Sequence, residues 1–140
     1  LHQSRQPDRR ERRSGAIVNF STASTKTGLP GRTPYVAGKA AVEALTYTAA
    51  RELGPFKVRC NCILPGPINN ARMDAIIERG AKQRGLSFAE MEKDVVRYIS
   101  MQTRVEPAEL ADMVLFLCSD SGRHITGQNG EVSGNLEWEE

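Results

Sequence analysis

Apolar residues recur along the 140-residue chain in short segments, some spaced like strands and others like helices. Residues 1–14 are polar and basic, and we predict a connection there that leads into the ordered part. A β-favouring run, residues 16–20, follows and ends in the hydroxyl-rich residues 21–25. This pattern predicts a first strand that is buried.

A glycine and proline loop over residues 28–34 leads into a long helix that we predict from Tyr35 to Leu53. Its alanines favour a helix and leave a thin surface that permits close packing against a sheet or another helix. They are Ala37, Ala40, Ala41, Ala44, Ala49 and Ala50. Residues 58–64 then predict a second strand, ended by a Pro-Gly-Pro sequence.

Two shorter helices are expected next. The second is the better marked, because Ser87 and Glu90 have the spacing of a capping box. Another helix should begin at Pro107, a residue suited to the first turn, and end at Cys118. Residues 125–132 suggest a last strand, which two glycines weaken. Strands separated by helices of this length predict an α/β fold with a parallel sheet covered on both faces.

Composition adds few constraints. The chain has 39% apolar and 26% charged residues, as in soluble globular domains, and a net charge of +2 gives no reason to expect nucleic acid as a partner. Residues 113–118 are too few to cross a bilayer and no leader is visible, so we expect no membrane association and a cytoplasmic protein. The arginine-rich start is a solvated end or a phosphate-binding arm, and its lack of aromatic partners argues against a nucleic-acid binder.

The cysteines are expected to be reduced. Cys60, Cys62 and Cys118 form no CxxC pair, and we predict that all three are small apolar core residues. We predict no metal site.

Candidate chemistry lies at the start of the long helix. Tyr35 and Lys39 are four residues apart, so their side chains share one helical face. An ammonium group beside a phenol favours the phenolate form, which suits acid–base work near neutral pH. Taken alone, the spacing fits a helix-surface pair equally well.

The residues around this pair are more specific. Residues 15–22 and 28–39 closely resemble the active-site segment of the short-chain dehydrogenase/reductase family. Residues 51–54, 58–68, 107–111 and 125–128 resemble the family's later landmarks, in the same order. The resemblance covers nearly the whole chain from residue 14 onward.

The resemblance implies that residues 15–140 are the carboxy-terminal, catalytic half of a doubly wound parallel-sheet (Rossmann) domain. The full-length protein would be an oxidoreductase that transfers a hydride between NAD or NADP and a small-molecule alcohol or ketone. It would be a homo-oligomer, dimer or tetramer. Within the family the chain is most similar to the 3-oxoacyl-carrier-protein reductase and sugar dehydrogenase-like group.

The resemblance also assigns roles to residues. Tyr35 is the general acid in carbonyl reduction and the base in alcohol oxidation, and Lys39 assists it and binds the nicotinamide ribose. Thr22 stands where the family has a serine that holds the substrate oxygen, and its β-branch restricts how the hydroxyl is aimed. Ser24 and Ser21 are nearby substitutes, although strand-end capping explains all three hydroxyls as well.

A cofactor-binding loop is implied after the second strand. Its backbone approaches the nicotinamide carboxamide, and Asn70 replaces a threonine that often contacts the cofactor. The loop residues are Pro65, Gly66, Pro67 and Ile68.

Between Asn70 and Val105 the family has a variable lid over the substrate. Helix packing explains its apolar residues equally well. The lid candidates are Met73, Ile76, Ile77, Phe88, Met91, Val95 and Ile99.

Several family features are not found in the sequence, among them a GxxxGxG turn after a strand. The first residue is Leu1, and we expect that sequence precedes it and that these 140 residues alone bind NADH or NADPH weakly. Gly130 and Ser133 replace a large apolar residue and an aspartate that are common in the last strand. The alternative is a truncated, inactive or subunit-interaction fragment without cofactor binding.

Overall fold

Three parallel strands form the sheet. The computed structural model describes residues 14–137, so nearly all of the predicted basic connection lies outside the described residues. The strands are β1 (Gly15–Phe20), β2 (Val58–Pro65) and β3 (Asn129–Val132), in the order β1-β2-β3. Gly15 is in register with Val58, and Cys62 with Asn129. The predicted parallel α/β sheet is confirmed.

Helices connect the strands. They are α1 (Ser24–Thr27), α2 (Thr33–Leu53), α3 (Ala71–Arg84), α4 (Phe88–Val96) and α5 (Pro107–Cys118), with 3₁₀ turns at Gly54–Phe56 and Asp120–Gly122. Helix α2 begins two residues earlier than predicted, because proline is well suited to a first turn. The predicted bounds of α5 and the Ser87–Glu90 capping box are confirmed.

Alternation along β2 sends its side chains to two different layers. Cys60 points toward α2, since its sulfur accepts from Asn19 Nδ2, which also donates to Thr46 Oγ1 of that helix at 3.0 Å. Ile63 points the other way and joins a buried cluster with Leu110 and Leu117 of α5. Both faces of the sheet are therefore covered, as successive strand residues require.

The edge strands are less buried than the centre. β2 is almost wholly buried, whereas β1 is half-buried and Phe20 at its end is 41% exposed. The prediction that β1 is buried was wrong in degree, because among the described residues only β2 has a hydrogen-bonded strand on each side.

The last strand is shorter than predicted. Residues 125–128 run beside β2 without regular pairing, because Gly127 has a positive φ of +66°. The Gly127 N–H donates to Cys60 O. Within β3, the Met113 methyl group lies 3.0 Å from where a Cβ on Gly130 would stand. The methionine thus occupies the space of the missing side chain.

Two of the three cysteines lie in the core. Burial raises the pKa of the Cys60 and Cys62 thiols, which favours the protonated form. Cys118 is exposed at the end of α5, so its predicted place in the core was wrong. Helical periodicity turned it outward, one position beyond the buried Leu117. Within residues 14–137, no helix is long and apolar enough to span a membrane.

Candidate active site

The first turns of α2 lie against the end of β1. Lys39 Nζ donates to Phe20 O at 2.9 Å, which fixes the ammonium group beside the last residue of the strand. Tyr35 stands one turn earlier on the same helical face and is 41% exposed. A backbone anchor for the lysine and an accessible phenol are thus placed together at one corner of the sheet.

Thr22 lies just beyond β1 and is buried. Its Oγ1 accepts a long hydrogen bond from Ser24 N at 3.4 Å, and its carbonyl accepts from Thr25 Oγ1 at 2.9 Å. The first bond is a strand-end cap, which is the alternative role that the sequence analysis gave this hydroxyl. Because that bond uses only an acceptor site, the Thr22 hydroxyl keeps its proton for another partner. Ser24 begins α1 and is half-buried.

The predicted cofactor-binding loop is adjacent. Ala23 N donates to Pro65 O at 3.0 Å, and Gly66 N donates to Val132 O at 3.0 Å. A Cβ on Gly66 would stand 2.8 Å from Ser133 Cβ and 2.9 Å from its Cα, closer than atoms can pack. Contact with Ser133 is therefore sufficient reason for a glycine here, a reason that the sequence alone did not show.

The rest of this loop is held by hydrogen bonds within the fold. Val105 N donates to Pro67 O at 2.9 Å, beside a bridge between Ile68 and Val105. Asn70 is the N-cap of α3, and its side chain accepts from Met73 N at 2.9 Å. The structure thus gives Asn70 a capping role, and its predicted cofactor contact stays a prediction.

Helices α3 and α4 form the segment predicted as a lid. Ile77 and Ile99 are fully buried, so helix packing explains these two residues. Arg104 fastens the segment, pairing with Asp74 at 2.8 Å and with Glu92 at 2.7 Å. Burial disfavours its charge, but the two carboxylates outweigh that effect and raise the guanidinium pKa above its ordinary value.

The sequence analysis did not identify two glutamates with hydrogen bonds near this end of the sheet. Glu131 of β3 pairs with Lys26 of α1 and accepts from Ser133 Oγ and Leu136 N. Burial raises the Glu131 pKa, but these hydrogen bonds together hold it below its ordinary value. No spacing signal joins residues 105 positions apart. The other group is Glu43, one turn after Lys39, and its four-residue spacing was a signal that could have found it.

A cleft of about 380 Å³ lies beside Glu131 and Ser133. Glu131, Ser133 and Arg104 line it, together with residues near the end of β3, but Tyr35 and Lys39 do not. The described residues therefore place the tyrosine and lysine at an open corner rather than inside this cleft.

Carboxyl ends of parallel strands are where α/β sheets bind ligands. Thr22 follows β1 and Gly66 follows β2, so both loops meet at this edge. A family model described as "Enoyl-(Acyl carrier protein) reductase" matches residues 2–135. The chain belongs to the short-chain dehydrogenase/reductase family.

Relatives of known name support this membership. A (3R)-3-hydroxyacyl-CoA dehydrogenase from Canis lupus familiaris is 38% identical over 122 residues, 87% of this chain and 43% of the relative. A 3-oxoacyl-[acyl-carrier-protein] reductase from Staphylococcus aureus is 34% identical over 130 residues, 93% of this chain and 48% of the relative. The chain spans less than half the length of these two short-chain dehydrogenase relatives.

Solved structures of the family share the fold. L-sorbose reductase from Gluconobacter frateurii, complexed with NADPH and L-sorbose, superposes with a TM-score of 0.84 at 26% identity. The superposition covers 91% of this chain and 49% of the reductase. Actinorhodin polyketide ketoreductase with NADPH gives a TM-score of 0.83 at 27% identity, covering 90% and 48%. The sheet and its helices thus correspond to about half of each of these structures.

Proposed function

We propose that this chain supplies the proton-transfer half of an oxidoreductase that interconverts a hydroxyl and a carbonyl group with NAD or NADP. The observation that carries the proposal is the Lys39–Phe20 hydrogen bond, which sets the Tyr35–Lys39 turn against the end of β1 beside Thr22. An exposed phenol and an ammonium lie on one turn of this helix, and family membership supports a reaction in which the Thr22 hydroxyl joins them.

The donors fit a nicotinamide ribose. An ammonium group has three N–H donors, and the contact with Phe20 O uses one of those on Lys39. Two remain for a pair of vicinal hydroxyls. A bound nicotinamide cofactor would supply or accept the hydride. Pro65, Gly66, Pro67 and Ile68 would border its nicotinamide end, as the family resemblance implies.

Proton transfer is the task of the chain's own residues. When a carbonyl is reduced, the hydride adds to its carbon and the Tyr35 O–H gives its proton to the oxygen, leaving a phenolate. In alcohol oxidation, the phenolate takes the hydroxyl proton as the hydride leaves. Lys39 stabilises the phenolate, and Thr22, or Ser24 in its place, donates to the substrate oxygen.

The substrate class follows from the relatives. Two of them, at 38% and 34% identity, are named for 3-hydroxyacyl and 3-oxoacyl thioesters. We therefore propose a hydroxyl or carbonyl on the third carbon of an acyl thioester as the reacting group. Sugar-type substrates are the next choice, given the fold shared with L-sorbose reductase.

Assembly into a homo-oligomer is part of the proposal. Four alanines of α2 face solvent together with Leu45, which is 61% exposed. Small side chains permit close approach of a second helix, so this face suits packing against another copy. The four are Ala37, Ala40, Ala41 and Ala44.

The test is a turnover assay on the longest natural polypeptide that contains these residues. We expect oxidation of NADH or NADPH with a 3-oxoacyl thioester. Thr22→Val should lower kcat/KM roughly tenfold by removing one hydrogen bond, with little change in cofactor affinity. Thr22→Ser is the matched control and should retain activity.

An unchanged rate for Thr22→Val would move the substrate contact to Ser24. Absence of turnover with thioesters and sugars, using both cofactors, would instead support the alternative of an inactive subunit-interaction fragment.

A further inference from the structure

Helix α2 carries a polar row that continues beyond the proposed proton-transfer pair. Tyr35, Lys39, Glu43 and Tyr47 follow one another at four-residue intervals, so they lie along one side of the helix. The proposed function uses the first two. Glu43 is half-buried, and its carboxylate reaches Ser21, just after β1, and Asn129, the first residue of β3.

One oxygen of Glu43 reaches the loop that carries Thr22. Ser21 Oγ lies 2.5 Å from Glu43 Oε1 and 3.1 Å from the backbone oxygen of Lys39. A serine hydroxyl has one proton, and the shorter bond to an ionised carboxylate is the stronger. Glu43 therefore decides where the Ser21 hydroxyl points. Ser21 is buried, and its N–H also donates to Ile63 O at 2.8 Å.

The other oxygen of Glu43 reaches β3. Asn129 Nδ2 donates to Glu43 Oε2 at 3.2 Å and to Tyr47 OH at 2.7 Å. Asn129 Oδ1 is buried without a hydrogen-bond partner among the described residues. Turning the amide over would let Oδ1 accept from the Tyr47 hydroxyl, but it would also bring Oδ1 against the Glu43 carboxylate. The Asn129 amide thus has the orientation that donates to Glu43, although this leaves its own oxygen unpaired.

We infer that Glu43 is a positioning residue for the reaction. Its carboxylate holds the Ser21–Thr22 segment at a fixed separation from the helical turn that carries Lys39, and Asn129 braces it from β3. The inference rests on the proposed function, because its consequence is the aim of Thr22 and Lys39 at the substrate and cofactor. Small displacements of such groups cost rate more than binding.

The experiment compares Glu43→Leu with Glu52→Leu, an exposed glutamate on the same helix. In the longest natural polypeptide, Glu43→Leu should lower kcat roughly tenfold and change the cofactor KM by less than about twofold. Ser21→Ala should cause a similar loss, and the double variant should be hardly worse than either. Glu52→Leu should match the parent protein.

Conservative replacement sharpens the test. Glu43→Gln keeps one oxygen for Ser21 and supplies an N–H₂ group that can donate to Asn129 Oδ1 once the Asn129 amide turns over. We expect this variant to fold as well as the parent and to recover most of the kcat lost in Glu43→Leu. A merely structural role would instead make kcat follow folding stability across the variants.

Hydrogen exchange gives a readout that does not depend on activity. The amide protons of Ser21 and Ala23 should exchange about tenfold faster in Glu43→Leu than in Glu52→Leu, because their loop has lost its brace. Unchanged exchange at both amides, or a normal kcat for Glu43→Leu while Tyr35→Phe is inactive, would overturn the inference alone. A fully active Tyr35→Phe would overturn the proposed function instead.

Discussion

The strand-end corner and the α3–α4 helix pair are held by different kinds of contact. At the corner, backbone hydrogen bonds join neighbouring loops, as from Ser21 N to Ile63 O and from Ala23 N to Pro65 O. The helix pair packs through buried apolar residues such as Ile77 and is also tied to the loop before α5 by the ion pairs of Arg104 with Asp74 and Glu92, which are 43% and 35% exposed. A backbone hydrogen bond needs no particular side chain at either end, whereas an ion pair is lost when either partner is replaced. The proposed chemistry thus sits on the region where backbone bonds join neighbouring strand-end loops.

Gly66→Ala should cause the largest loss of stability, because it directly disrupts the packing at the strand-end corner. The added methyl group would stand 2.8 Å from Ser133 Cβ and 2.9 Å from its Cα, and backbone must move to admit it. We expect a loss of about 3 kcal/mol in the free energy of unfolding, measured by urea denaturation.

Gly54→Ala is the matched control, since nothing lies within 4 Å of its added Cβ and its φ of −54° suits any residue. Equal stability of the two variants would contradict the tight contact between the loops after β2 and β3.

Arg104→Met should have a smaller and more local effect. It leaves Asp74 and Glu92 without their shared cation, and because both carboxylates reach solvent we expect a loss of about 1–2 kcal/mol. Amide exchange should accelerate in α3 and α4 and stay unchanged in β2. Arg79→Met, at an exposed arginine of α3, is the control. Faster exchange throughout the sheet would contradict the separation of the two regions.

Glu131→Gln should have the smallest effect, and one that depends on pH. The folded-state pKa of Glu131 lies below its ordinary value of 4.5, so its carboxylate stabilises the fold above that value. This contribution should be lost as the pH falls through the folded-state pKa. We expect Glu131→Gln to cost about 1 kcal/mol at pH 7, since Lys26 is largely exposed. Denaturation of both proteins between pH 7 and 3 should show the difference shrinking; a difference that grows on acidification would contradict it.

Local patterns predicted most of the fold. A capping box marked α4, a first-turn proline marked α5, and residues 58–64 followed by Pro-Gly-Pro marked β2, because these signals lie within a few residues. The sequence could not show that β1 is only half-buried, which depends on its place in the sheet. Nor could it show that Cys118 faces outward, since burial of an isolated residue depends on what packs beside its helix.

Sequence spacing predicted only the part of the candidate site whose residues lie close together in the chain. Tyr35 and Lys39 are one turn apart, and the structure sets their helix against β1 through Phe20 O. The pairing of Lys26 with Glu131 joins residues far apart in sequence, and the need for glycine at position 66 arises from Ser133, just after β3. Contacts of that range depend on the finished tertiary structure, so a reading of neighbouring residues misses them.

The most direct test of the central claim asks whether Tyr35 and Lys39 act as one unit. Turnover and its pH dependence would be measured for Tyr35→Phe, Lys39→Met and the double variant, in the longest natural polypeptide containing this chain. We predict that Tyr35→Phe loses nearly all turnover, and that Lys39→Met moves the pH profile of alcohol oxidation to higher pH and weakens cofactor binding. The double variant should be hardly worse than Tyr35→Phe, as when one residue works through another. Near-normal turnover in Tyr35→Phe, or losses that multiply independently, would contradict the account.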